Sequence, residues 1–174
     1  MNETEVKIIG IKPLDVRKKL LDLGAKKTFK GYLEAKAFDF PDGKLGKQRG
    51  HLRLRKVGDK AELTYKQKIK SKQFKRRLEI ETHIEDFDSM LKILKKLGLV
   101  EVKKYNKTRE SYQLGNIHFD LDIYPKSTRI PPLVEIESTE EGVKKGVRLL
   151  GFEMKDTSTA SAWGLLEYYK NRKR

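Results

Sequence analysis

The chain has 174 residues, which suits one domain over 1–174 with its own core and leaves little room for a second. Lys and Arg number 40 against 25 Asp and Glu, a formal net charge of +15 that points to polyanionic partners, and the absence of Cys excludes disulfides, thiolate zinc sites and cysteine nucleophiles and fits a reducing cytoplasm. His51, His83 and His118 lie too far apart for a metal-binding H-E-x-x-H helix, no apolar run approaches the ~20 residues that span a bilayer, and MNETEVKIIG lacks a secretory signal, so a soluble cytoplasmic protein with no membrane partner is expected.

In chain order, Glu3-Thr4-Glu5 leads into a helical stripe of Val16, Leu20 and Leu23 that stops at Gly24. The segment DGKLGKQRG, 42–50, reads as a mobile hairpin loop; it is not a Walker loop, because Gly46-Lys47 is followed by Gln48 rather than Ser or Thr. Alternating strands follow, and then the clearest helix, Asp86 to Leu97, with Phe87, Met90, Leu91, Leu94 and Leu97 on one face and Gly98 as a stop. Glu79-Ile80-Glu81 precedes that helix. Glu135-Ile136-Glu137 likewise precedes a stripe of Val143, Val147 and Leu150 ending at Gly151. A strand, helix and Leu-Gly unit therefore recurs three times at shortening intervals, which argues for pseudo-symmetry inside one domain rather than a solenoid. A terminal helix is expected from about Ser158, its cap, to Arg174.

Side chains two apart in a strand share a face, so charges can be assigned to faces. Arg53 and Arg55 lie opposite Leu52 and Leu54; Lys66 and Lys68 share a face, as do Arg77, Glu79 and Glu81. Further on, Lys107 pairs with Arg109, Asp120 with Asp122, and Glu135 with Glu137. One reading is a sheet with a solvated charged face. The segregation of basic from acidic doublets favours another, a curled sheet whose basic strands confront acidic ones, its apolar face covered by helices. Basic doublets on several strands suit a polyphosphate, and the acidic doublets suit Mg²⁺ or Mn²⁺.

These residues resemble the motifs of the CYTH superfamily, the triphosphate tunnel metalloenzymes, over nearly the whole chain. Glu3-Thr4-Glu5-Val6-Lys7 resembles its E-x-E-x-K, Leu52-Arg53-Leu54-Arg55 its L-R-x-R, and Thr64-Tyr65-Lys66 its T-x-K. Arg77-Leu78-Glu79-Ile80-Glu81 resembles R-x-E-x-E, Lys107-Thr108-Arg109 resembles K-x-R, and Leu121-Asp122 and Val134-Glu135-Ile136-Glu137 complete the order. The resemblance implies an α+β fold, an antiparallel closed β-barrel with helices packed outside, whose tunnel binds a triphosphate and a divalent cation. It implies that Arg53, Arg55, Lys66, Lys68, Arg77, Lys107 and Arg109 hold phosphates. Glu3, Glu5, Glu79, Glu81, Asp122, Glu135 and Glu137 would hold Mg²⁺ or Mn²⁺ or orient water. Glu5 and Lys7 would be catalytic, Lys7 either polarising the reacting group or fixing the acidic cluster. Asp120 shares the Asp122 face and is a candidate either for the same role or only for pairing with a basic strand, and Lys155 is a candidate for the tunnel mouth or an ordinary exposed lysine.

The resemblance covers two reactions. Triphosphatases direct water at a terminal phosphorus of tripolyphosphate, a nucleoside triphosphate or thiamine triphosphate, whereas class IV adenylyl cyclases make cyclic AMP and pyrophosphate from ATP. The cyclases carry a Leu-Gly where this chain has Ile130-Pro131-Pro132-Leu133, which favours hydrolysis. A third reading, of another class, is a non-catalytic module for polyphosphate, nucleotide or RNA; RNA is disfavoured because no aromatic RNA-binding strand is present. Tyr32, Phe38, Tyr65, Phe74, Tyr105 and Tyr112 are candidates for stacking on an organic group or for packing. A homodimer is left open, since related proteins include dimers.

Overall fold

The computed structural model describes residues 4–58, 60–69 and 76–172, and at 68, 69, 76 and 77 only the backbone. The strands are β1 (Thr4–Ile9), β2 (Lys26–Asp39), β3 (Gly50–Val57), β4 (Lys60–Ile69), β5 (Arg76–Ile84), β6 (Val100–Leu114), β7 (Ile117–Ile123), β8 (Leu133–Ser138) and β9 (Thr157–Ser158). The helices are α1 (Pro13–Asp22), α2 (Lys44–Lys47), α3 (Phe87–Lys96), α4 (Glu140–Leu149) and α5 (Ala162–Asn171). The fold is α+β, with one nine-stranded antiparallel sheet in the order β5-β4-β3-β2-β6-β7-β8-β1-β9. None of the helices is long and apolar enough to cross a membrane, among the described residues.

The chain forms two compact units, Met1–Gly31 with Lys107–Arg174, and Tyr32–Asn106, whose boundaries fall within β2 and β6. In the first unit, α1 contributes Val16 and Leu20 and α4 contributes Val143 and Val147 to a core shared with Val6, Ile8, Phe119, Leu121, Val134 and Ile136. Each fully buried aliphatic side chain there contributes about 1.5–3 kcal/mol by leaving water. Beneath α1, the Glu110 carboxylate accepts from Arg17 Nη2 (2.8 Å) and Nε (3.0 Å) and from the Tyr112 hydroxyl (2.8 Å), with Lys27 Nζ 3.1 Å away. In the second unit, Phe87 and Leu94 of α3 pack on Phe38, Leu54 and Ala61, with Met90 and Leu91 at the edge of that core.

The threefold recurrence is real in the backbone. Gly24, Gly98 and Gly151 have φ of +81°, +86° and +83°, the left-handed conformation that glycine adopts without strain. After each, the next amide reaches back to the same helical position: Ala25 to the Leu20 carbonyl, Leu99 to Leu94, and Phe152 to Val147. That is one helix-ending motif used three times. It also corrects the apolar stripe of α3: Leu97 is exposed, and Leu99, carried inward by the turn, fills the core position.

Three local expectations change. The 42–50 segment contains the single turn α2, whose Leu45 and Gly46 amides donate to the Asp39 carboxylate at 2.8 and 2.9 Å, so an internal anion holds the turn. The terminal helix is capped by Ser161, whose hydroxyl accepts from the Gly164 amide (3.1 Å). Ser158 belongs instead to β9, paired with Lys7, a strand too short to leave a periodic signal.

Candidate functional site

In the first unit, β1, β8, β7 and β6 are consecutive neighbours, and their register sets charged residues in rows across one face. One row is Lys7, Glu135, Asp120 and Ser111; the next is Glu5, Glu137, His118 and Gln113. Asp122 stands opposite Arg109 in a third. Two residues from the Pro-Pro segment help fix this register, because the Pro132 carbonyl accepts from the Gly10 and Ile11 amides at 2.9 and 3.1 Å and β8 begins at Leu133.

The side chains complete a dense network. The Lys7 ammonium, 4% exposed, donates to Glu5 at 3.0 Å and to Glu135 at 3.1 Å. Burial alone would lower its pKa, but the carboxylates of Glu135 and Glu5 outweigh that and raise it. Arg109 donates to both oxygens of Asp122 (2.7 and 2.8 Å), to Glu135 (3.2 Å) and to Asp120. Despite burial, these carboxylates hold Arg109 well above its ordinary pKa, and Lys7 and Arg109 hold Glu135, also against its burial, well below the usual carboxylate range.

Lys107 behaves differently. Its ammonium is 2.5 Å from Asp122 and over the Tyr124 ring at 5.4 Å, yet burial and the neighbouring Arg109 charge lower its pKa to about 8. Asp122 is 0% exposed and both its oxygens are taken by Lys107 and Arg109. His118 faces an acceptor on each side: Nε2 lies 3.0 Å from Asp120, and Nδ1 lies 3.1 Å from the oxygen of Gln113, whose amide nitrogen donates to the Gly115 carbonyl. The Asp120 hydrogen bond raises the His118 pKa, against the opposing effect of burial.

In the second unit the rows run across β3, β4 and β5. Arg55 stands opposite Glu62 and donates to it through Nε (2.9 Å) and Nη2. Lys66 stands opposite Glu79, 2.6 Å away, with His51 on its other side. Between them lies the row Arg53, Thr64 and Glu81. Arg53 Nη2 donates to the Thr64 hydroxyl (3.2 Å), which donates to Glu81 (2.9 Å); Arg53 is itself 4.0 Å from Glu81. Its Nε is buried and has no hydrogen-bond partner among the described residues. Burial, followed by repulsion from Arg55, lowers the Arg53 pKa.

The anticipated residues thus fall into two clusters. Glu5, Lys7, Lys107, Arg109, Asp122 and Glu135 share a network in the first unit, with Glu137 opposite Glu5, and Arg53, Arg55, Lys66, Glu79 and Glu81 line neighbouring strands of the second. Glu3 lies outside the described residues, and so do the side chains of Lys68 and Arg77, although their backbones pair in register. Lys155 is exposed and paired with Glu153 at 2.9 Å. Of the aromatic candidates, Phe38 and Tyr112 are core, Tyr32 is exposed, Tyr65 and Tyr105 are half-buried, and Phe74 is outside the described residues. Sequence reasoning gave no role to Ser111, His118, Glu62 or Thr64. Strand alternation places each on a charged face beside a residue already singled out.

Among the described residues no three His, Asp or Glu side chains are disposed to hold a metal ion together. The donor chemistry nevertheless fits a hard divalent cation. Glu5 and Glu137 stand directly opposite each other in the β1–β8 ladder, where like charges repel, and Glu5 remains 50% exposed. Mg²⁺ commonly uses only one or two carboxylates, with water and substrate phosphate completing its shell.

The chain matches the CYTH domain model over residues 1–151. It is 34% identical over 122 residues, 70% of each chain, to a protein of Methanocaldococcus jannaschii that carries a provisional adenylate cyclase name. Among solved structures, a Pyrococcus horikoshii OT3 protein is 27% identical with a TM-score of 0.71, covering 95% of this chain and 98% of that one. A Hippeastrum protein with a provisional adenylyl cyclase name and a dominant triphosphatase activity shares the fold at 18% identity and a TM-score of 0.65, with 95% and 94% coverage.

Proposed function

Because the chain belongs to the CYTH domain family, we propose that it is a divalent-metal-dependent enzyme acting on a triphosphate compound, and that the reaction is hydrolysis at a terminal phosphorus. The observation that carries this reading is Arg53, a half-buried side chain whose Nε is buried with no hydrogen-bond partner among the described residues and whose nearest described carboxylate, Glu81, stands off at 4.0 Å. A buried N–H of a cation left without an acceptor is costly unless an anion completes it. A phosphate oxygen supplies that charge and an acceptor for the Nε–H.

In this reading Arg53, Arg55 and Lys66 hold phosphate oxygens in the second unit, with Lys68 and Arg77 added by motif, and Lys107 and Arg109 do so in the first. Glu5 and Glu137, with Glu3 by motif, take Mg²⁺ or Mn²⁺, which when bound neutralises charge on the phosphate oxygens. Lys7, which donates to Glu5 and Glu135, fixes the acidic cluster. Glu135 and Asp122 anchor Lys7, Lys107 and Arg109, Glu79 and Glu81 set the basic side chains of their own rows, and Glu5 orients the attacking water.

The test is incubation with tripolyphosphate, thiamine triphosphate or ATP, each with Mg²⁺ or Mn²⁺, resolving phosphate, pyrophosphate and cyclic AMP. Phosphate release that EDTA abolishes is expected. Glu137→Ala should end turnover while keeping anion affinity; unchanged turnover in that variant overturns the metal assignment. The second reading, a cyclase, is favoured by the name of the Methanocaldococcus relative and would appear as cyclic AMP with pyrophosphate. Binding without any product would leave a triphosphate-binding module.

A further inference from the structure

Thr64 is fully buried in the middle strand of the β3–β4–β5 rows, and its hydroxyl sits between a cation and an anion. It accepts from Arg53 Nη2 at 3.2 Å and donates to Glu81 at 2.9 Å, while Arg53 and Glu81 remain 4.0 Å apart. The neighbouring rows lack such a spacer. Arg55 bonds Glu62 directly through two nitrogens, and Lys66 lies 2.6 Å from Glu79.

We propose that Thr64 is a positioning residue that keeps Arg53 from being neutralised by Glu81, so that the guanidinium stays available to an incoming polyphosphate oxygen. The inference rests on the triphosphate reading given above. A hydroxyl suits the task because it can accept from the cation and donate to the carboxylate at once, satisfying both while holding them a full ångström beyond contact distance. Remove it and each partner is left with an unmade hydrogen bond that the other can supply. The resulting Arg53–Glu81 pair competes with the ligand for the same guanidinium. This differs from a packing role in one respect: the damage depends on the Glu81 charge.

The experiment is calorimetric binding of inorganic tripolyphosphate in EDTA, so that metal affinity does not enter. Thr64→Ala should weaken binding by about tenfold or more, the scale of a charge-assisted hydrogen bond gained by the competing pair. Thr64→Ser, which keeps the hydroxyl, should bind as the parent does. Adding Glu81→Gln to Thr64→Ala should restore affinity to within about twofold of Glu81→Gln alone. If Thr64→Ala does not fold, Thr64→Val keeps the volume, removes the hydroxyl and carries the same expected loss and rescue. Parent-like affinity in the hydroxyl-free variant, or a loss that Glu81→Gln leaves untouched, overturns the spacer role while leaving the triphosphate reading intact. Failure of the parent protein to bind tripolyphosphate overturns both.

Discussion

Glu110 is the residue whose charge the fold uses most plainly for stability. The Arg17 hydrogen bonds, outweighing burial and joined by Tyr112 and Lys27, lower its pKa from 4.5 to about 2. A carboxylate depressed in this way contributes stability that is present in full above its unfolded pKa and is lost as pH falls through the folded value. The window here runs from about pH 4.5 down to about 2. Glu110→Gln should therefore lower unfolding free energy at pH 7 by about 3 kcal/mol, measured by urea titration, with the gap to the parent closing as pH approaches the lower end of that window. A gap that persists unchanged into acid would show that the loss is one of packing. Lys107 has the opposite sign. Its pKa of about 8 means the ammonium discharges as pH rises through that value, so tripolyphosphate affinity should decline above pH 8 and Lys107→Arg should remove the decline. Which acid meets which base was not legible in the chain. Alternation placed Arg53, Glu81 and Glu135 on charged faces, but the partner of each depends on register between strands, 128 positions apart for Glu135 and Lys7.

At the scale of elements, the helix ends were legible because glycine at a left-handed position is a local requirement, as at Gly24, Gly98 and Gly151. The short β9 and α2 were not, since two residues carry no period and α2 is held by Asp39 from outside the turn. Close approach of α4 to β8 was equally hidden. A Cβ on Gly146 would lie 2.8 Å from Ile136 Cγ2 and 3.3 Å from Phe119, so the glycine is there to let the helix settle on the strand. Ile136 lies between Glu135 and Glu137, whose side chains project from the other face. Gly146→Ala should thus destabilise by about 1–3 kcal/mol in thermal melts and depress turnover together, despite the better helix propensity of alanine. Gly164→Ala in α5 is the matched control: its nearest neighbour would be Ser161 Oγ at 3.5 Å, an ordinary contact, so a gain of about 0.5–1 kcal/mol is expected. Equal effects at the two glycines would contradict the packing argument.

At the scale of the whole molecule, basic residues exceed acidic ones in both units, so any polyanion will be attracted. Attraction alone does not distinguish a triphosphate enzyme from an RNA-binding surface; screening does. Exposed lysines interact through salt solution with a Debye length of about 10 Å at 0.1 M, and a nucleic acid that neutralises many of them loses affinity steeply as counterions cease to be released. Buried or partly buried cations are screened far less. Arg53, Lys107 and Arg109 are such cations, each fixed by named partners rather than by solvent. Between 50 and 200 mM salt, binding of single-stranded RNA should therefore fall by about a thousandfold or more if the surface lysines carry it. Tripolyphosphate binding should fall by no more than about tenfold over the same interval. Tripolyphosphate affinity that drops as steeply as that of RNA would move the anion from the buried arginines to the exposed lysines, and with it the assignment of the charged strand faces as the site of chemistry.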